Sequence, residues 1–163
     1  MEANELREAM RFWATGVTIV SARHNDIQHG MTVTSFTSLS LEPPLVMVSL
    51  EKTTRTHGLV DLSGAFGVSM LREDQRPVSN RFAGLATELT NRFAGLKTFT
   101  LETGSPLLEN GLAWLDCRVT ERHAAGTHTI FFGEVIATRA SEGAPPLLYF
   151  NRDYRGMQDS RDR

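Results

Sequence analysis

The sequence predicts a mostly β fold: an antiparallel barrel with short peripheral helices. Three observations lead to it. Short strand-like runs recur along the whole chain and stop at Gly or Pro. Helical spacing of apolar residues is confined to a few brief stretches. Strands and helices do not alternate, as a parallel α/β sheet would require.

Asn4 to Ala14 reads as a helix, with Leu6, Ala9, Met10 and Trp13 at helical spacing. Glu5 and Glu8 fall early in it, where the helix dipole favours acids, and Gly16 is a stop. Val17 to Ala22 is the first strand, and His24-Asn25-Asp26 a turn. The next strand enters through His29-Gly30-Met31 and runs on as Thr32-Val33-Thr34-Ser35-Phe36-Thr37-Ser38-Leu39-Ser40. Pro43-Pro44 ends it, and Leu45 to Leu50 forms a third strand. After a Lys52–Thr56 turn come a short helix from His57 to Leu62 and a strand from Ala65 to Met70.

Glu73 to Phe93 reads as helical and holds an internal repeat: Asn80-Arg81-Phe82-Ala83-Gly84-Leu85 recurs as Asn91-Arg92-Phe93-Ala94-Gly95-Leu96. The offset of eleven residues is three helical turns, which would put both Phe side chains on one face. One repetition is too few for a solenoid. Leu112 to His123 and Thr127 to Arg139 are two long strands around Ala124-Ala125-Gly126, a hairpin anchored by Trp114 and Val119. Ala144-Pro145-Pro146 breaks the chain before the apolar Leu147-Leu148-Tyr149-Phe150. The charged tail from Arg152 is expected to end in mobile residues.

At 163 residues the chain is expected to form one domain over residues 1–163, with an ordered core over about 6–154. A net charge of −2 with no dense basic run argues against nucleic acid as a partner. The N-terminus shows no basic n-region and no long apolar stretch, so a soluble cytoplasmic protein without signal peptide or membrane span is expected. Cys117 stands alone and reads as a small buried hydrophobe.

Several chemistries have no motif here. G-x-G-x-x-G after a strand, G-x-x-x-x-G-K-[ST], G-x-S-x-G and H-E-x-x-H are all missing, and none of the five histidines pairs with another at i, i+4. No metal site is expected. What stands out is the hydroxyl-rich run. Six of the nine residues from Thr32 to Ser40 carry a hydroxyl and none is charged. Such a surface suits a polar, ring-shaped or phosphorylated ligand, and Lys52-Thr53-Thr54-Arg55-Thr56 offers cations and neutral donors to a phosphate. The competing reading is a Thr-rich edge strand followed by a solvated turn. A protein built for non-covalent binding is still an enzyme when its ligand is the reactive group.

The order of these segments resembles the flavin reductase components of two-component flavin-dependent monooxygenases, built on the FMN-binding split barrel. The resemblance covers nearly the whole chain. It rests on Ala14 to Val20, Gly30 to Val46, Arg81-Phe82-Ala83-Gly84, Gly126 to Val135, Pro146 to Phe150 and Tyr154. The stretch from Gly30 to Val46 is the most specific.

The resemblance implies an antiparallel split β-barrel and an NAD(P)H:flavin oxidoreductase that passes reduced FMN or FAD to a separate oxygenase. NADH or NADPH would be the co-substrate, and a homodimer is implied, with flavin close to the interface. By position, Thr34, Ser35, Phe36 and Thr37 would lie along the isoalloxazine. Ser38 and Ser40, with Lys52, Thr53 and Arg55, would take the phosphate and ribityl end. Phe82 and Ala83 would border the flavin, and Tyr149 or Tyr154 would shelter its ring. The family's Gly-Asp-His turn stands here as Gly126-Thr127-His128. Thr127 departs from that pattern, and His128 would act beside the flavin ring and the nicotinamide. Competing readings are a flavoprotein that keeps its FMN and turns over its own substrate, a non-catalytic flavin carrier, and a cofactor-free interaction barrel. The sequence does not choose between FMN and FAD or between NADH and NADPH.

Overall fold

The computed structural model describes residues 2–85 and 91–157. Helix α1 (Ala3–Met10) and the two-residue strand β1 (Thr15–Gly16) lead into β2 (Thr18–His24), β3 (Ile27–Val33), β4 (Phe36–Leu41) and β5 (Pro44–Glu51). Helix α2 (Arg55–Ser63) returns the chain to β6 (Ala65–Met70). A 3-10 turn (Glu73–Gln75), helix α3 (Arg76–Phe82) and the short β7 (Thr98–Phe99) and β8 (Leu107–Leu108) follow. The long β9 (Ala113–Ala125) and β10 (His128–Ala140) form a hairpin, and β11 (Leu148–Phe150) and β12 (Asp153–Arg155) form another.

Seven strands make one antiparallel sheet in the order β3-β2-β6-β9-β10-β5-β4. Its two outer strands, β3 and β4, are consecutive in the chain yet do not pair. The barrel is therefore open along one seam, and Thr34-Ser35 crosses it. The hydroxyl-rich run, read from sequence as one strand, is thus two strands with a break at the seam. The reason is local. The Ser35 hydroxyl donates to the Ser49 carbonyl at 2.7 Å, and the Ser49 N–H donates to the Ser35 carbonyl at 3.3 Å, so Ser35 already belongs to the β5 side.

Two apolar clusters face the two sides of β2. Val20 and Ala22 point into the barrel with Val46, Val48, Leu50, Phe66, Val68 and Phe131, while Leu59 and Val60 of α2 close that core at one end. Val17, before the strand, and Ile19 point outward onto Leu71, Phe82, Phe93, Leu108 and Leu147. Alternate residues thus serve separate cores, which is why this strand is buried without interruption from Thr18 to Ala22 rather than at every second residue. Thr54 caps α2 by accepting from the His57 N–H at 3.3 Å, and Gly64, with φ of +65°, ends it.

The helix expected from Glu73 to Phe93 is much shorter. It stops at Phe82, where Gly84 takes φ of +78°; residues 86–90 lie outside the described residues. The second repeat is a turn, with Gly95 at φ of +73° matching Gly84. Phe82 and Phe93 still meet, edge to face at 4.9 Å between ring centroids, across a reversal of the chain rather than along one helix face. Helix α1 buries none of its side chains, and Leu6 and Met10 remain about half exposed. The tail expected to be mobile, from residue 158 on, also lies outside the described residues. No helix among the described residues is long and apolar enough to cross a membrane.

Candidate functional site

The open seam holds a hollow of about 550 Å³. Thr34, Ser35, Phe36 and Thr37 form one wall, Trp13 to Thr18 another, and Met47, Ser49 and Met70 the floor between them. Thr34, Ser35 and Thr37 are exposed, whereas the Phe36 ring packs partly on the barrel core. Among the described residues the wall is made of hydroxyls and apolar groups, with no ionisable side chain. The Thr15 hydroxyl on it is buried without a hydrogen-bond partner. A neutral donor surface over an apolar floor fits a flat heteroaromatic ring with carbonyls on its edge.

A second hollow, of about 520 Å³, adjoins the first, and Val17 and Thr34 belong to both. Its walls are Thr32 on β3, Asn80, Ala83 and Leu85 at the end of α3, and Tyr149, Arg152, Asp153 and Tyr154 on the β11–β12 hairpin, with Arg76 at its edge. Tyr149 and Tyr154 meet edge to face at 5.6 Å. The Thr32 hydroxyl donates to the Ser79 carbonyl at 2.6 Å, and the Ser79 and Tyr154 hydroxyls are hydrogen-bonded at 2.8 Å. These bonds pin α3 against β3 on one side and β12 on the other. Arg76 pairs with Asp153 at 3.3 Å and lies 5.2 Å over the Tyr154 ring. Arg152 pairs with Glu8 of α1.

A third group sits at the end of β5. Lys52, Thr53 and Arg55 surround the N-terminus of α2, and the Lys52 ammonium donates to the Gly126 carbonyl at 2.7 Å. His128 lies opposite Glu51 in the β5–β10 ladder and is hydrogen-bonded to the Thr127 hydroxyl at 2.9 Å. None of Lys52, Thr53, Arg55 and His128 lines either hollow. Lys52 follows Ser49, on the floor of the first hollow, by three residues, or about 10 Å of extended chain.

Burial lowers the pKa of two neighbouring histidines. His29, bonded to the Thr56 hydroxyl at 2.8 Å, has its pKa lowered to about 4, by burial first and then by Arg92 and Arg55. Burial also lowers that of His57, with Lys52 adding to the effect and Asp61 opposing it. His57 is bonded to the Thr129 hydroxyl at 2.8 Å. Lys52 and Arg55, together with the helix terminus, bring positive charge to this end.

Two sequence expectations need correction. Ser38 and Ser40 do not join Lys52. In the antiparallel β4–β5 pairing Ser38 faces Val46 and Ser40 faces Leu45, while Lys52 follows the opposite end of β5. Six residues of strand, about 20 Å, separate the two groups, too far for one phosphate within one chain. Phe82 does not offer its ring to a ligand. It is fully buried against Phe93 and Gly30, and only its neighbour Ala83 reaches the hollow. Arg76, Asn80, Arg152 and Trp13 were not foreseen. Trp13 was legible as a large aromatic before a Gly-containing strand. Arg76 and Arg152 are brought together only by the fold.

The flavin reductase-like domain matches residues 10–158. The chain is 42% identical to the NADH-dependent flavin reductase StyB of Pseudomonas fluorescens, over 92% of this chain and 87% of that one. It is 40% identical to the reductase component of 4-hydroxyphenylacetate 3-monooxygenase from Thermus thermophilus, over 93% and 94% of the two chains. Among solved structures, the NADH:FAD oxidoreductase SgcE6 of Streptomyces globisporus, in complex with NAD and FAD fragments, superposes with a TM-score of 0.90 at 30% identity. That match covers 99% of this chain and 96% of the other.

Proposed function

The chain belongs to the flavin reductase-like family, and from that premise we propose that it is an NADH-dependent flavin reductase supplying reduced flavin to a separate monooxygenase. The observation that carries this reading is the pair of hollows meeting at Val17 and Thr34. A hydride transfer between two bound nucleotides needs two adjoining sites with a shared wall. The flavin ring lies along Thr34 to Thr37 in the first hollow, and the nicotinamide nucleotide occupies the second, between Asn80, Ala83 and the Tyr149–Tyr154 pair. The flavin phosphate lies at the N-terminus of α2, with Lys52 and Arg55 as its cations and Thr53 as a neutral donor. A ribityl chain covers the distance from Ser49 to Lys52. His128 stands at the same rim.

When bound, the flavin supplies the redox chemistry by accepting a hydride from the nicotinamide. The chain supplies position and electrostatics. The hydroxyls of Thr34 and Thr37 donate to the ring edge, and that of Ser35, whose proton goes to the Ser49 carbonyl, lines it, all without burying a charge beside it. The apolar floor of Met47 and Met70 keeps water from the buried face. No residue of either hollow is placed as a nucleophile or general base, and hydride transfer requires neither.

The whole chain acts as one flavin reductase-like domain, and two copies pair. Support for pairing comes from apolar side chains left open in the single chain: Met10, Phe12 and Trp13 around the end of α1, and Leu41 on the unpaired side of the sheet, 85% exposed. Sedimentation velocity at micromolar concentration tests this, and a monomeric mass overturns it.

Anaerobic stopped-flow mixing with NADH and NADPH, each with FMN and with FAD, tests the activity. Rapid loss of flavin absorbance with NADH supports it. Flavin binding without reduction identifies a carrier instead, and flavin retained through dialysis identifies a flavoprotein with its own substrate.

A further inference from the structure

We propose that Arg92 is a positioning residue for the second hollow, fixing the wall formed by the end of α3 and thereby setting the apparent affinity for the nicotinamide nucleotide. The proposal rests on the assignment of that hollow to NADH. It starts from the repeated Asn-Arg-Phe-Ala-Gly-Leu sequence, of which the first copy lines the second hollow, through Asn80, Ala83 and Leu85, and the second copy does not.

The second copy holds the first in place. Arg92 Nη1 donates to the Phe82 carbonyl at 2.8 Å and to the Gly30 carbonyl at 3.0 Å. The Phe82 carbonyl belongs to the last turn of α3, where helical carbonyls lack an intrahelical partner and a cation is favoured by the dipole. The Gly30 carbonyl belongs to β3, two residues before Thr32, which lines the same hollow. One guanidinium thus joins the two elements between which the hollow opens. Directly beneath, the Phe93 ring packs edge to face on Phe82. Gly30 leaves the room for both rings: a Cβ there would stand 3.0 Å from Phe82 and 3.1 Å from Phe93. The half-buried guanidinium touches neither hollow itself, so it acts through Ala83 and Asn80.

Arg serves better than Lys in this place. Its planar fork holds a fixed direction toward two carbonyls, whereas an ammonium on a flexible stem does not. Loss of the clamp lets the turn at Ala83 and Gly84 move away from β3 and loosens one wall while leaving Thr34 to Thr37 untouched.

The test is steady-state kinetics of Arg92→Gln and Arg92→Lys, with melting temperatures, beside Phe66→Leu as a destabilised control in the barrel core away from both hollows. The expected result for Arg92→Gln is an NADH KM raised about tenfold, with kcat and flavin KM within about twofold, and partial recovery in Arg92→Lys. Unchanged KM values for both NADH and flavin in a folded Arg92→Gln protein overturn the proposal. An equal rise in Phe66→Leu at matched melting temperature also overturns it, because general loosening would then suffice. A rise confined to the flavin KM supports the clamp and overturns the assignment of that hollow to NADH.

Discussion

Lys52 and Gly126 are tied across the rim of the barrel: the Lys52 ammonium donates to the Gly126 carbonyl at 2.7 Å, while the Lys52 N–H donates to the Thr127 carbonyl at 3.0 Å. The side chain is thus held beside the N-terminus of α2 instead of sweeping through solvent. An ammonium has three donors, and one carbonyl occupies one of them. Lys52→Ala is expected to weaken flavin binding about tenfold, as for the loss of one exposed charge-assisted hydrogen bond of about 1.5 kcal/mol. Fluorescence titration of FMN at two salt concentrations checks it. Equal affinity of mutant and parent removes Lys52 from the phosphate site.

His128→Ala is expected to weaken flavin binding, because the ring stands at the Lys52 rim where the flavin phosphate is proposed, while the NADH KM stays nearly unchanged. The ring stands at the start of β10, bonded to the Thr127 hydroxyl, where it can meet a ligand without disturbing the core. In place of the acid of the family's Gly-Asp-His pattern, a neutral hydroxyl orients it. Reduction kinetics at varied flavin and varied NADH measure both quantities, and a mutant that matches the parent in each leaves His128 a hairpin residue only.

Acid stability is expected to depend on His29. Its folded pKa is about 4, against an ordinary 6.5. Between these values the unfolded chain holds a proton that the folded chain lacks. The stabilising contribution is therefore complete above about pH 6.5 and is lost as pH falls toward 4. Because the ring is half exposed, solvent screening limits the effect to about 1–2 kcal/mol. His29→Gln keeps a partner for Thr56 without the titration, so its urea midpoint should fall less than the parent's between pH 6.5 and 4.5. Parallel curves would rule the effect out.

Gly133→Ala is expected to destabilise the barrel by about 2–3 kcal/mol, roughly 5–10 °C in Tm. A Cβ at this position would stand 2.6 Å from the Phe66 ring and 3.0 Å from the Cys117 Cβ, and Phe66 is fully buried with no room to retreat. Thermal melts monitored by circular dichroism check it, and an unchanged Tm would mean that the ring moves freely.

Much of this architecture was legible in local sequence, for identifiable reasons. The strand from Ala65 to Met70 was legible in its residues, and the β9–β10 hairpin in its length and Gly126. Thr34 to Thr37, which line the first hollow, stood out as a candidate ligand surface because six hydroxyls and no charge in nine residues is unusual for a strand. The break at the seam was not, since Thr and Ser propensities carry no sign of the bonds between Ser35 and Ser49. Nor was the separation of Ser40 from Lys52, which is set by strand register and not by closeness in sequence. The repeat suggested a long helix because eleven residues suit helical phase, but Gly84 and Gly95 each turn the chain instead. The second hollow combines Thr32, Asn80 and Tyr149 from three distant parts of the chain, and no local pattern announces such a meeting.

Cys117 lies behind Gly133, fully buried, with its pKa pushed up by burial and by neighbouring Asp116. Reduced flavin in air yields peroxide, and peroxide attacks thiolates, not protonated thiols. The chain has no other cysteine. A protein that handles a peroxide-forming product thus keeps its one oxidisable thiol as an inert packing group, and turnover in air should leave no sulfenic acid and no disulfide-linked pairs. The same seclusion makes the residue a clock. A thiol reagent reaches it only when the barrel opens, so the labelling rate of Cys117 reads out how often β6, β9 and β10 come apart together.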